Sequence, residues 1–286
     1  RLSAEELRAR PLRAVLTDAL RSGQAGALSM VVQVSTLMWM RTIMNTQYRY
    51  GGTVRETARR LYGEGGLRRF YRGYPVALMQ GPVSRFGDTF SNTLFLAMME
   101  RNEATRGLPL AVKTLGASVT AGCFRILFVP LDTLKTILQV EGARGTGLLA
   151  AKYRSGGPRV FFHGALATWA ATLVGHYPWF LTYNLLNGWL PPAEGRGQTL
   201  LRQAAMGFVS SVVSDTCSNS LRIVKTARQT SAEVVSYAQV VREVLAKDGL
   251  PGLLGRGLRM RIATNGCQGL LFSVLWRYWE ERLGRR

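Results

Sequence analysis

Three segments of this chain repeat one another at a spacing near 90 residues. The clearest copy is Pro130-Leu131-Asp132-Thr133-Leu134-Lys135-Thr136-Ile137-Leu138-Gln139, which ends an apolar run. Set on Lys135, the segments Thr36 to Asn45 and Ser220 to Gln229 repeat leucine, a basic residue and threonine in register. Their basic anchors, Arg41, Lys135 and Lys225, stand 94 and 90 residues apart. A second marker, an aromatic or basic residue before glycine in Tyr71-Arg72-Gly73, Phe162-His163-Gly164 and Gly255-Arg256-Gly257, recurs after 91 and 93 residues. Two independent markers with one period define a chain of three units.

Six mostly apolar stretches run approximately over residues 24–46, 74–99, 108–139, 165–190, 200–229 and 258–281. With 47% hydrophobic residues arranged in this way, the composition points to a membrane. Lys113 and Arg125 interrupt the third stretch and Asp215 and Arg222 the fifth, positions expected to face a bundle interior or a water-filled cavity. Small residues, Gly23, Gly26, Gly116, Gly122, Gly207, Ser210 and Ser211, are placed to permit close helix approach.

The net charge of +20 raises the question of a nucleic-acid binder, but its distribution answers it. The segments 51–72, 143–163 and 225–261 carry 17 Lys and Arg, whereas the alternate connections 100–113 and 191–202 carry 5. That asymmetry is an orientation signal in a membrane protein: the three long basic connections face the negative, matrix-like side and both termini face the other. No nucleic-acid partner is expected. Cys123, Cys217 and Cys267 are odd in number and sit in apolar stretches, so they are expected to be buried structural thiols. With only His163 and His176, the chain offers no metal site, no Ser-His-Asp hydrolase and no enzyme assignment.

Residues 1–22 read as an amphipathic helix opened by Ser3-x-x-Glu6. Residues 23–106, 107–196 and 197–286 form the three repeats of one membrane domain. Between the stretches, Val54, Ala58, Leu61 and Tyr62 share a helical face, and Val234, Val235, Ala238, Val241, Val244 and Leu245 share another. The middle copy, around Leu148 to Tyr153, is shortened. Gly65-Gly66, Gly156-Gly157 and Asp248-Gly249 end these helices.

Over roughly residues 20 to 282 the chain resembles the mitochondrial carrier family, whose repeat reads Pro-x-Asp/Glu-x-x-Lys/Arg, then a short amphipathic helix, then Glu-Gly and an aromatic-basic-Gly turn. The middle copy, Pro130, Asp132 and Lys135, matches that first motif outright. The resemblance implies an all-α membrane protein of the mitochondrial inner membrane, with six transmembrane helices in three pseudo-threefold repeats and short matrix-side amphipathic helices. It also implies bound cardiolipin, and no other cofactor, at helix N-termini marked here by Gly66, Gly73, Gly157, Gly164, Gly249 and Gly257.

In the family, three acids and three bases close the matrix end as salt bridges. Here the acid positions hold Met38, Asp132 and Arg222 and the basic positions Arg41, Lys135 and Lys225, so four cations meet one carboxylate and the gate is expected to be rewired. Restoring acids at 38 and 222 is expected to stabilise the closed form. Proline is kept only in the third span, with Thr36 and Ser220 at that register elsewhere, so only that span carries a strong kink signal. Gly81-Pro82 and Gly175-His176-Tyr177-Pro178 suggest bends in even spans. For the outer gate the resemblance points to Tyr183, Asn184 and Asn187, where amides replace charges. For substrate it points to Gln80, Ala171, Thr172 and Thr264, with Arg85 and His176 nearby to add positive potential.

Two readings follow. One is a carrier moving a small, anionic metabolite by alternating access. The other is a carrier-fold accessory or structural subunit in a larger assembly, with respiratory-complex subunits as partners.

Overall fold

The computed structural model describes residues 12–191 and 195–283, with side chains described from residue 28 to 271 except at 85, 88–93, 96, 100, 110, 111, 114, 192–194 and 196. The N-terminal half of the amphipathic segment expected at 1–22 therefore lies outside the described residues. Its remainder belongs without a break to the first long helix, α1 (Leu12–Tyr50). The rest follow as α2 (Val54–Phe70), α3 (Tyr74–Arg101), α4 (Glu103–Arg106), α5 (Leu110–Leu127), α6 (Val129–Glu141), α7 (Gly145–Gly156), α8 (Ala165–Trp189), α9 (Arg196–Thr230), α10 (Tyr237–Gly255) and α11 (Leu258–Leu283). Among the described residues there is no strand.

Local chemistry sets the boundaries. Thr53 and Glu56 form a reciprocal capping box that starts α2, and Ser236 caps α10 through the Gln239 amide. That cap places Val234 and Val235 before α10 and corrects the expected helical face; Val235 is nonetheless buried against Tyr48 and Val240. Proline explains the one broken long stretch. Pro130 lies in the first turn of α6, and α5 and α6 meet at Phe128 with a bend of 66°. With Thr36 and Ser220 at that register, α1 and α9 run unbroken.

The long helices close into a ring: α1 packs on α3, α3 on α5, α5 on α8, α8 on α9, α9 on α11 and α11 on α1. Close approach uses glycine where a ring needs it. A side chain at Gly122 of α5 would sit 2.9 Å from Trp169 of α8. Ser214 of α9 donates to the Gly175 carbonyl of α8 at 2.7 Å, just before Pro178. Among the described residues, no single helix is long and apolar enough to cross a membrane, and one bent pair, broken after Leu127, is.

The short helices fasten the ring at one end by a contact made three times. Arg69 donates to the Gln139 and Val140 carbonyls at 2.7 and 2.6 Å, capping α6. Lys152 of α7 donates to Gln229 and Arg228 carbonyls at 3.0 and 3.4 Å near the end of α9. Arg256 reaches the Arg49 carbonyl at 3.4 Å and Lys247 the Tyr50 carbonyl at 2.9 Å, capping α1. A helix C-terminus exposes unpaired carbonyls and the negative end of its dipole, so a cation answers both needs. Glu64 and Asp248 neutralise Arg69 and Arg256 at 2.8 and 2.6 Å. Lys152 has no such carboxylate among the described residues: burial, then Arg49 and Arg228, push its ammonium pKa down to about 8.

The repeated glycines serve the same joint. Gly66, Gly157 and Gly249 share φ near +60 to +65 with ψ of −150, −161 and −164, a region essentially reserved for glycine. Gly73, Gly164 and Gly257 also have positive φ, and an added Cβ at each would press on α6, α9 and α1, 3.0 Å from Leu138, 3.1 Å from Gln229 and 2.7 Å from Tyr48.

The cysteines correct the sequence reading. Cys123 and Cys217 are exposed and Cys267 is partly so. An apolar stretch whose outward face meets hydrocarbon is apolar all round, so its hydropathy does not say which side a thiol occupies.

Candidate functional site

The ring encloses a cavity of about 720 Å³. Among the described residues its lining includes six cations, Arg41, Arg125, Lys135, Arg222, Lys225 and Arg261, against one carboxylate, Asp132. Clefts lined by one sign of charge concentrate ions of the other.

The repeated motifs meet where this cavity narrows toward α2, α7 and α10. Asp132 of α6 is the hub: it accepts Lys135 at 2.9 Å within its own helix and Lys225 of α9 at 2.6 Å. Lys135 also donates to Gln80 of α3 at 2.9 Å. The three sides of this end are closed differently. Between α6 and α9 stand the Asp132–Lys225 pair and Gln229 donating to Thr133 at 3.0 Å. Between α1 and α6, Asn45 donates to Gln139 at 2.7 Å and Tyr50 to Glu141 at 2.6 Å. Between α9 and α1 the closure is apolar, Tyr48 packing with Ile223, Val224 and Ala227. The amide set Asn45, Gln139 and Gln229 was missed as a site in the sequence, although each stands four residues after a basic anchor.

The rewiring expected from the missing acids takes a specific form. Met38 is wholly buried in an apolar cluster with Val34 and Ala77 and meets no cation. Arg222 does line the cavity, where its Nε donates to Ser218 at 3.3 Å. Arg41 lines it too and makes no hydrogen bond or ion pair among the described residues. A second acid enters from the fifth stretch: Asp215 of α9 binds Arg261 of α11 at 2.6 Å and accepts from Asn265.

Of the expected substrate residues, Gln80 and Thr264 line the cavity. Ala171 and Thr172 are buried between helices, and Thr168, one turn earlier, takes the lining place. Thr172 accepts from Arg125 at 3.4 Å, so it touches the cavity's charge from behind. His176 pairs with Ser118 of α5 at 2.6 Å, outside the lining. The Arg85 side chain lies outside the described residues. At the opposite end, Tyr183 stacks on Trp179 with ring centres 5.1 Å apart, while Asn184 is exposed and Asn187 accepts Arg202 of α9 at 2.9 Å. Lys113 of α5 turns back to the Arg106 carbonyl at 2.7 Å, away from the cavity.

The glycines divide as well. A side chain added at Gly66 or Gly157 would meet open space, and at Gly249 only Pro251, while the Gly157 amide itself donates to the Tyr153 carbonyl. Gly73, Gly164 and Gly257 are pressed against neighbouring helices.

Comparison with known proteins agrees with this architecture. A family model described as "Mitochondrial carrier protein" matches residues 109–193. The chain is 31% identical over 153 residues to mitochondrial magnesium exporter 1 of Drosophila melanogaster, a match covering 50% of each chain. It is 24% identical over 221 residues to the mitochondrial thiamine pyrophosphate carrier of Macaca fascicularis, covering 69% of this chain and 68% of that one. The match thus spans about half the length of the exporter.

Proposed function

The chain belongs to the mitochondrial carrier family as a divergent member, and we propose that it moves a small anionic metabolite across the mitochondrial inner membrane by alternating access. Members of this family are transporters rather than enzymes. The observation that carries the reading is the cavity, where, among the described residues, six lining cations face one lining carboxylate. A bare divalent cation, the cargo named for the exporter, would enter that field uphill, while an anion would enter it downhill.

The membrane part of the proposal, six spans in three repeats, rests on the outward faces of the long helices. Trp39, Met79, Leu115, Leu181, Phe208 and Leu270 point out from the six of them. Such a belt suits hydrocarbon and does not suit water. The end bearing the basic short helices then faces the matrix, with both termini on the other side. Lipid phosphate, cardiolipin included, is assigned to the helix starts marked by Gly66, Gly157 and Gly249, where space beside the glycines is open.

The alternative, an accessory subunit of a respiratory assembly, draws support from the opposite end, where, among the described residues, exposed Asn184 and the Asn187–Arg202 contact build no gate of paired charges. The cavity and its Asp132–Lys225 closure favour transport. Purified protein in liposomes, loaded with phosphorylated or carboxylate metabolites, is expected to show counterflow uptake. Absence of uptake for every anion class, together with comigration with a respiratory complex on native electrophoresis, would reject transport for the subunit reading.

A further inference from the structure

The cations at the narrow end of the cavity are not all committed within the chain. Lys135 and Lys225 share Asp132, and Arg261 has Asp215. Arg222 holds a single bond to a neutral serine, and Arg41 holds none among the described residues. Arg261 lies close enough to both to repel them. A third polar group completes the set. Tyr48 lines the same cavity at 2% exposure, its hydroxyl lying against Arg261, which it can serve only as an acceptor, so its own proton has no acceptor among the described residues. Two guanidinium groups and a phenolic hydroxyl line one cavity, and the carboxylates that attract the guanidinium groups, Asp132 for Arg41 and Asp215 for Arg222, are each already ion-paired to other cations, so positive charge is left in excess. Guanidinium groups present forks of donors that match the oxygens of phosphate, and a buried donor left unmatched is costly.

We propose that Arg41, Arg222 and Tyr48 form an oxyanion subsite that takes a multiply charged phosphate or diphosphate group as the counter-ion this chain lacks. The inference rests on the reading of the cavity as the substrate site and adds where the charged end of the substrate binds. A single carboxylate would answer one arginine; a phosphate or diphosphate, with two or more charges and several acceptor oxygens, answers both. The closed narrow end is then completed by the ligand. Empty, it retains the repulsion among Arg41, Arg222 and Arg261; occupied, it exchanges that repulsion for attraction. Arg222 stands where the resembling pattern has an acid, so its own charge converts a closing position into a binding one.

The test uses the full chain in detergent, in magnesium-free buffer at constant ionic strength, with inorganic pyrophosphate as the probe. Pyrophosphate should raise the melting temperature of the wild type by several degrees over sodium chloride. Arg222→Asp removes one guanidinium and adds a carboxylate to the lining, so it should lose the shift. Arg41→Gln should lose the shift, and Arg202→Gln, at the opposite end, should keep it. Phospholipid micelles run in parallel separate the two sources of such a group: a shift from them alone retains the subsite and makes its occupant a lipid headgroup. If Arg222→Asp does not fold, calorimetric titration of Arg41→Gln with pyrophosphate decides the matter. No shift in the wild type with either probe, or a full shift retained in Arg41→Gln or Arg222→Asp, overturns the subsite. Uptake into liposomes without a shift rejects the subsite alone, and a shift without uptake rejects transport alone.

Discussion

At the end of the ring that carries α2, α7 and α10, buried cations hold the structure together: Arg69, Lys152 and Arg256 are each at most 7% exposed and each reaches a carbonyl of a neighbouring long helix. At the other end the polar contacts lie in the open, as with Arg202, which binds Asn187 and the Leu190 carbonyl on an exposed surface. The same chemical group, an arginine on carbonyl oxygen, therefore does different work in the two places. Buried, its removal strands a desolvated partner; exposed, water replaces it. The difference suggests that the basic end is the firm joint and the other the end that yields first.

The sharpest way to break that comparison is Asp132→Asn, which leaves Lys135 and Lys225 with no carboxylate and is expected to cost about 3–5 kcal/mol. A melting curve in mild detergent unchanged from wild type would remove Asp132 from the centre of the joint. Met38→Asp, the repair suggested by the repeat pattern, should also destabilise. It sets a carboxylate at a position with 0% exposure among Val34 and Ala77, at a cost of about 3 kcal/mol. A rise in melting temperature would show that the carboxylate finds a cation and that the sequence expectation was right. Arg69→Met should cost about 2–3 kcal/mol, because it uncovers two carbonyls and leaves Glu64 without Arg69.

A subtler prediction concerns pH. Lys152 sits at about 8 when folded, below the roughly 10.4 of a free lysine, so between those values the unfolded chain binds more protons and stability rises with pH. Wild type should gain melting temperature over Lys152→Met between pH 7.5 and 9.5. A constant difference across that range would mean that the ammonium is not held in a desolvated place. The smallest effect belongs to the open end: Arg202→Gln should change stability by no more than about 1 kcal/mol. A larger loss would erase the contrast between the ends.

Much of this was legible in the chain. The break at Pro130 and the spacing of Gly66, Gly157 and Gly249 are local chemistry, and local chemistry is written in adjacent residues, although the caps at Thr53 and Ser236 were passed over and Val234 and Val235 placed within a helix. Register alone set four cations against Asp132, of which Lys135 and Lys225 pair with it. What register does not give is direction. It could not tell that Met38 would turn into an apolar cluster, that Cys123 and Cys217 would face outward, or that Ala171 and His176 would miss the cavity by part of a turn. Nor could it show that Arg69 serves carbonyls 70 and 71 residues away, since many arginines in the chain compete for any such partner. Asp215 was marked as an interior acid, but its pairing with Arg261 depends on two helices that only meet when the ring closes.

The carbonyl caps run in order around the molecule: Arg69 of α2 serves α6, Lys152 of α7 serves α9, and Arg256 returns to α1, more than 200 residues back in the chain. A product ending before this last segment would leave the Arg49 and Tyr50 carbonyls, at the close of the first helix, without their cap.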